Sequence, residues 1–132
     1  MSNKKIGNEF EQEFCELLYQ HGYWVHNFAM NQAGQPADVI AVKDKTAYLI
    51  DCKVCTNDTF ALSRVEENQH FSMEFWKMCG NGEGWFALKV DNGVIMIPHF
   101  SIVALSHEKS TLNLNDIREY GVKLERWLNK CG

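Results

Sequence analysis

The segment PADVIAV-KDKT-AYLIDCKV (36–54) constrains the fold more than any other part of the chain. Two apolar runs joined by four polar residues predict a β-hairpin. If Asp44 and Lys45 form the turn, residues whose numbers sum to 89 face each other, so Val42 meets Ala47, Ile40 meets Leu49 and Asp38 meets Asp51. Directly opposed residues of an antiparallel pair have Cβ atoms about 4.5–5.5 Å apart, and like charges so placed repel. Lys53 shares the face of Asp51, because side chains alternate along a strand. Val39, Ala41, Tyr48 and Ile50 are apolar on the opposite face, the pattern of central strands covered on both sides. The spacing thus gathers two acids and one base at one end of a buried hairpin.

The rest of the chain supplies elements to cover it. Residues 6–20 read as a helix with Ile6, Phe10, Phe14, Leu17 and Leu18 on one stripe. At about 100° per residue, Glu11 falls beside Leu18 on the shoulder of that stripe, and is the acid of this helix best placed to lean over a sheet. YWVHNF (23–28) reads as a first strand, followed by a polar loop ending at Pro36. A second helix is expected from Ser63, capped by Ser63 and Glu66 and stopped by Gly80. Phe71, Phe75 and Trp76 on it read as core, and His70 as surface. WFALKV (85–90) and GVIMIP (93–98) form a second hairpin around Asp91, Asn92 and Gly93. The C-terminal segment, 113–130, reads as one amphipathic helix running from Asn115, with Ile117, Tyr120, Leu124, Trp127 and Leu128 inward. The order αβββαββα has no visible linker and predicts a single α/β domain over 1–132.

Composition narrows the setting. No segment reaches the roughly 18 unbroken apolar residues of a membrane span, and no apolar stretch follows the N-terminal lysines as in an export signal. Five scattered cysteines then imply reduced thiols in an intracellular, cytoplasmic protein. The formal net charge of −4 runs against the basic face usual in nucleic-acid binders. Acids that surround a metal ion count as negative in that sum yet are neutralised in use.

Glu11, Asp38, Asp51 and Lys53 together have the chemistry of a metal site. Mg²⁺ takes one or two carboxylates, keeps several waters and meets phosphate oxygens. It can polarise a phosphodiester and make water a usable nucleophile, while a lysine offsets developing charge. The alternative leaves Asp38 and Asp51 as strand-end acids in solvent, with Lys53 as their exposed partner. Cys52-Lys53-Val54-Cys55 has the spacing of half a zinc site, but no second pair accompanies it, and Cys52 should point into the core. The glycine-rich stretch 80–84 precedes a strand rather than a helix, so it is a turn and not a phosphate loop.

These residues resemble the PD-(D/E)xK nuclease superfamily, and within it the Holliday-junction resolvase-like branch that includes archaeal Hjc and bacterial RecU. Gly7-Asn8-Glu9-Phe10-Glu11 matches the G-x3-E opening of that branch's first helix. Asp38 matches the PD aspartate, and Asp51-Cys52-Lys53 the (D/E)xK element. Gln69 matches a glutamine on the helix that follows. The likeness extends over about residues 4–105. Two departures stand out: Ala37 separates Pro36 from Asp38, and only NQAGQ (31–35) stands where RecU-like enzymes carry a long stalk.

The resemblance implies a restriction-endonuclease-like core, a central mixed sheet of about five strands flanked by helices. It implies a Mg²⁺-dependent endodeoxyribonuclease, with Mn²⁺ as a possible substitute, acting on branched DNA as a homodimer. Glu11, Asp38, Asp51 and the backbone carbonyl of Cys52 would hold metal, Lys53 would position water, and Gln69 would orient Lys53 or the scissile phosphate. Cleavage of linear duplex or flaps by the same fold, or a non-cleaving binding module, are the alternatives.

Overall fold

The computed structural model describes residues 3–28 and 37–131. The polar loop before Pro36, and Pro36 itself, lie outside the described residues. Helix α1 (Asn3–Gln20) leads into strands β1 (Trp24–Asn27), β2 (Val39–Lys43) and β3 (Thr46–Val54). A short strand β4 (Phe60–Ala61), a 3₁₀ turn (Leu62–Arg64) and helix α2 (Glu67–Met78) follow. Then come β5 (Trp85–Val90), β6 (Gly93–Pro98), α3 (His99–Ser106), β7 (Thr111–Leu112), α4 (Leu114–Tyr120), β8 (Val122–Lys123) and α5 (Leu124–Cys131).

The central sheet has six strands, in the order β1-β2-β3-β5-β6-β8, one more than expected, and β4 pairs with β7 in a separate two-stranded sheet. The β2–β3 hairpin keeps the expected register, with Val42 opposite Ala47 and Ile40 opposite Leu49. Asp44 and Lys45 both take positive φ, 52° and 67°. That is the type I′ conformation whose twist matches a two-residue hairpin. A second tight turn follows β3, where Asn57 and Asp58 have φ of 53° and 55° and Thr56 bridges Thr59.

Strands β3 and β5 are parallel. Parallel neighbours cannot be joined by a tight turn, so the chain must cross over, and α2 lies in that crossover. The sheet separates two apolar layers. On one face, Phe10, Phe14 and Leu18 of α1 pack with Trp127 and Leu128 of α5 over Val39, Ala41, Ile50 and Cys52. On the other, Met73, Ile102, Leu105 and Ile117 from α2, α3 and α4 cover Leu49, Phe86, Leu88 and Ile97. Each Val, Leu, Ile, Phe or Met side chain fully buried in this way contributes about 1.5–3 kcal/mol.

Three sequence expectations are corrected. Helix α2 does not begin at Ser63. Ser63 sits in the 3₁₀ turn, Leu62 and Val65 turn into the core, and the helix starts at Glu67 with Glu66 as its N-cap. The capping pattern is there, but it is read by Glu66 and Gln69: the Glu66 N–H donates to Gln69 Oε1 at 3.0 Å.

The C-terminal segment is not one helix. Gly121 breaks it where the chain passes over β6, because a Cβ there would come within 2.5 Å of Ile95 Cγ2 and 2.7 Å of the Ile117 carbonyl oxygen. Val122 and Lys123 then pair with Met96 and Ile95, which adds the sixth strand. Tyr120 is exposed, whereas Ile117, Leu124, Trp127 and Leu128 do point inward.

Finally, Phe71 and Phe75 are not core: they are 68% and 55% exposed. Helix α3 carries the apolar run HFSIVALS directly after β6 and was not anticipated. Among the described residues, no helix is long and apolar enough to cross a membrane.

Candidate active site

The end of the sheet where β2 begins and β3 finishes opens into a cleft of about 690 Å³. Glu11 of α1, Asp38 before β2, Asp51, Cys52 and Lys53 of β3, and Gln69 of α2 all line it. The five side chains expected to act together are therefore brought together, from three separate elements and the bend before β2.

Each is placed by local structure. The Asp38 N–H donates to the Ile50 carbonyl at 3.2 Å, and the Asp38 carbonyl accepts from the Phe28 N–H at 2.7 Å. The β2–β3 ladder itself ends at Val39–Ile50, so Asp38 and Asp51 are not a ladder pair as expected. The Asp38 carboxylate instead reaches across β3, and its Oδ2 accepts from the Cys52 N–H at 2.8 Å.

Asp51 falls between Ile50 and Cys52, which are buried under α1, so its own side chain points to the α2 face and is 1% exposed. Gln69 Nε2 donates to Asp51 Oδ1 at 3.2 Å, and Lys53 Nζ lies 3.3 Å from Asp51 Oδ2. Gln69 therefore holds Asp51 rather than Lys53. Its amide is fixed at both ends, with the oxygen committed to the cap of α2 and the nitrogen to the acid.

The electrostatics are those of acids short of positive charge. Burial, and then the Asp38 charge, push Glu11 up to about 7 from 4.5, with Lys53 opposing. Burial first, and then the Asp38 charge, also push Asp51 well above the usual carboxylate range, again against Lys53. The Asp38 carboxylate lies close enough to disfavour a charge on Asp51. Cys52 and Cys55 do not form a thiolate pair. Burial is the main cause in both, raising Cys52 far above its ordinary value and Cys55 to about 11.

The donor set suits a hard divalent cation. Glu11 Oε2 is buried without a hydrogen-bond donor, and Asp51 Oδ2, although 3.3 Å from the Lys53 ammonium, accepts no hydrogen bond; buried charges are normally paired or coordinate metals. Carboxylate oxygens are the ligands Mg²⁺ accepts, and an ion here would satisfy both oxygens and relieve the repulsion from Asp38. Among the described residues, no three His, Cys, Asp or Glu side chains are grouped tightly enough to hold an ion without moving.

Two features of the site carry no local sequence signal. Arg64 lines the cleft from the 3₁₀ turn, its Nη1 donating to the Val54 carbonyl at 2.8 Å. Its place depends on the path of the chain between β3 and α2. His70, next to Gln69, is half-buried rather than fully on the surface: its Nδ1 lies 2.8 Å from Nε2 of His99, which is buried. Glu74 Oε1 lies 3.6 Å from His99 Nδ1. Burial is the main cause that pushes both imidazoles down, so this pair links α2 to α3 in neutral form.

A central mixed sheet bearing Asp38, Asp51-x-Lys53 and a helix-borne Glu11 at one end defines a nuclease of the PD-(D/E)xK class. The family model for archaeal Holliday junction resolvase (Hjc) matches residues 2–131. The chain belongs to that family, a family of metal-dependent nucleases acting on branched DNA, and the match includes the C-terminal segment that the sequence resemblance had left out. Among solved structures, Hjc of Archaeoglobus fulgidus, a Holliday junction resolvase from an archaeal hyperthermophile, shares the fold with a TM-score of 0.68 and 18% identity, over 93% of this chain and 95% of that one. No curated protein sequence matches the chain.

Proposed function

We propose that this chain is a Mg²⁺-dependent endodeoxyribonuclease that nicks four-way DNA junctions as a homodimer, with Mn²⁺ as a substitute ion. The observation that supports it most is the cleft in which Glu11, Asp38, Asp51, Lys53 and Gln69 meet. Glu11, Asp38 and Asp51 hold the ion, with the Cys52 carbonyl as a further oxygen. When bound, the ion polarises the phosphodiester and lowers the pKa of water.

The chain's own groups do the rest. Lys53, steadied by Asp51, donates to the attacking water and offsets charge that builds on the phosphate oxygens. Gln69 keeps Asp51 turned toward the ion. Arg64 spends one N–H on Val54 and has others for a DNA phosphate, since a guanidinium carries five.

A symmetric junction needs two nicks, hence two sites. Phe71, Phe75 and Met78 form a stripe at helical spacing on α2, and are 68%, 55% and 80% exposed. Contiguous apolar surface of this kind marks interaction sites, which supports α2 as the face joined by a second copy. The whole chain acts as one domain, because the central sheet draws strands from β1 to β8. Cys15, Cys52, Cys55 and Cys79, free thiols among the described residues, support a cytoplasmic setting.

The deciding experiment is cleavage of a labelled four-way junction beside linear duplex and single strand, in Mg²⁺ and in Mn²⁺, with Asp51→Ala and Lys53→Ala as controls. Paired symmetric nicks confined to the junction and lost in both variants are expected. Equal cutting of linear duplex would remove the junction preference, and binding without cutting would reduce the chain to a DNA-binding module.

A further inference from the structure

Among the described residues, strand β1 is an edge of the central sheet, paired with β2 alone. Edge strands are usually blunted by charged side chains, yet β1 reads Trp-Val-His-Asn. Val25 points to the α1 layer, so Trp24 and His26 project from the opposite face, beside Val42 and Ile40. Phe28 continues the alternation. Trp24 is 63% exposed.

The three rings form a continuous row. Those of Trp24 and His26 are within 17° of parallel with centroids 6.4 Å apart, and the His26 and Phe28 rings meet edge to face at 4.7 Å. The row ends at the site, because the Phe28 N–H donates to the carbonyl of Asp38 at 2.7 Å.

Resting on the junction-nuclease reading above, we propose that Trp24, His26 and Phe28 form a stacking platform for base faces left uncovered at the branch point of the DNA. Three observations select this occupant. The row lies on the sheet face that carries Asp51, and its last residue is hydrogen-bonded to the backbone of Asp38, a residue that lines the cleft, so DNA whose phosphate reaches the acids passes beside it. The chain has a formal net charge of −4, so phosphate contacts alone are a poor source of affinity, whereas stacking on aromatic rings requires no positive charge. And a base inside a duplex has both faces covered by its neighbours. Only a base freed at a branch or an end offers a face to a ring, which makes the platform selective for branched over continuous DNA.

The test is the affinity of wild type, Trp24→Ala, Trp24→Phe and His26→Ala for a labelled four-way junction without divalent metal, at several salt concentrations. Thermal melts and sedimentation are run on each protein. Trp24→Ala is expected to bind about ten-fold more weakly, with the dependence on salt unchanged, because stacking releases no counterions. His26→Ala should lose less, and Trp24→Phe should stay near wild type. Wild-type affinity in Trp24→Ala would overturn the platform, as would a loss accompanied by a shallower salt dependence. A change of oligomeric state without a change in DNA affinity would also overturn it, and would assign the row to a second copy. If wild type cuts junctions in Mg²⁺ while Trp24→Ala binds and cuts like it, the platform alone fails. If wild type neither binds nor cuts junctions, the nuclease reading fails and the platform with it.

Discussion

Asp51 and Asp116 are both withdrawn from solvent, at 1% and 7% exposure, and are held in opposite ways. Asp116, in the first turn of α4, accepts from the Asn113 N–H at 3.1 Å and from the Lys109 ammonium, while its own N–H donates to Asn113 Oδ1 at 2.9 Å. The Lys109 hydrogen bond, and then that of Asn113, hold its carboxyl below the usual range. Asp51 has one amide donor and one ammonium, faces a second carboxylate, and is pushed up. An acid satisfied by its own chain is a structural part. An acid left short, buried at the wall of a cleft, leaves a place for a ligand from outside.

That contrast can be broken in several ways. The largest effect is expected from Asp51→Asn, which should slow junction nicking by at least about 10²-fold while raising the melting temperature of the metal-free protein. Asp116→Asn should do the reverse, leaving the nicking rate unchanged and lowering the melting temperature. Parallel assays of rate and melting on both variants check the pair, and a rate loss in Asp116→Asn would erase the distinction. Next, Gln69→Ala removes the amide that donates to Asp51 and part of the α2 cap, and should cost about 10–100-fold in rate. Gln69→Glu, which sets another carboxylate against Asp51, should be no better.

A pH series separates the two regions by sign. Glu11 has its pKa raised from 4.5 to about 7 in the folded chain, so its contribution to stability is fully present below about 4.5 and lost as the pH rises through about 7. Metal-free protein should therefore melt lower at pH 7.5 than at pH 5.5, and Glu11→Gln should flatten the difference. Added Mn²⁺ should raise the melting point more at the higher pH, because the ligands bind metal deprotonated. Asp116 has the opposite sign: its contribution is present above the ordinary value of 3.8 and lost as the pH falls through its lowered pKa. The smallest effect is expected from Asn113→Ala, a lost helix cap costing about 1 kcal/mol in denaturant unfolding with no change in nicking.

The parts legible in the sequence were those fixed by short-range geometry. A two-residue turn at Asp44 and Lys45 sets the β2–β3 register, and alternation then assigns Asp51, Lys53 and Cys52 to their faces. Helical phase picked Glu11 from among the acids of α1. Features set by contacts distant in sequence were not legible. The parallel pairing of β3 with β5 and the meeting of His70 with His99 depend on the crossover path. The break at Gly121 depends on Ile95, a residue of another strand. Nor does apolarity by itself distinguish a core phenylalanine from an exposed one, which is why Phe71 and Phe75 do not follow the sequence pattern.

The tight turn at Asn57 and Asp58 has one more consequence. It follows the last acid-bearing strand and precedes every residue of α2, so it divides the chain into a piece that owns Glu11, Asp38, Asp51 and Lys53 and a piece that owns Arg64 and Gln69. A backbone opened there yields two fragments, neither of which holds the whole cleft. Cutting would then occur only where and when the two fragments meet, so this short exposed turn is the natural place to install a switch on the enzyme.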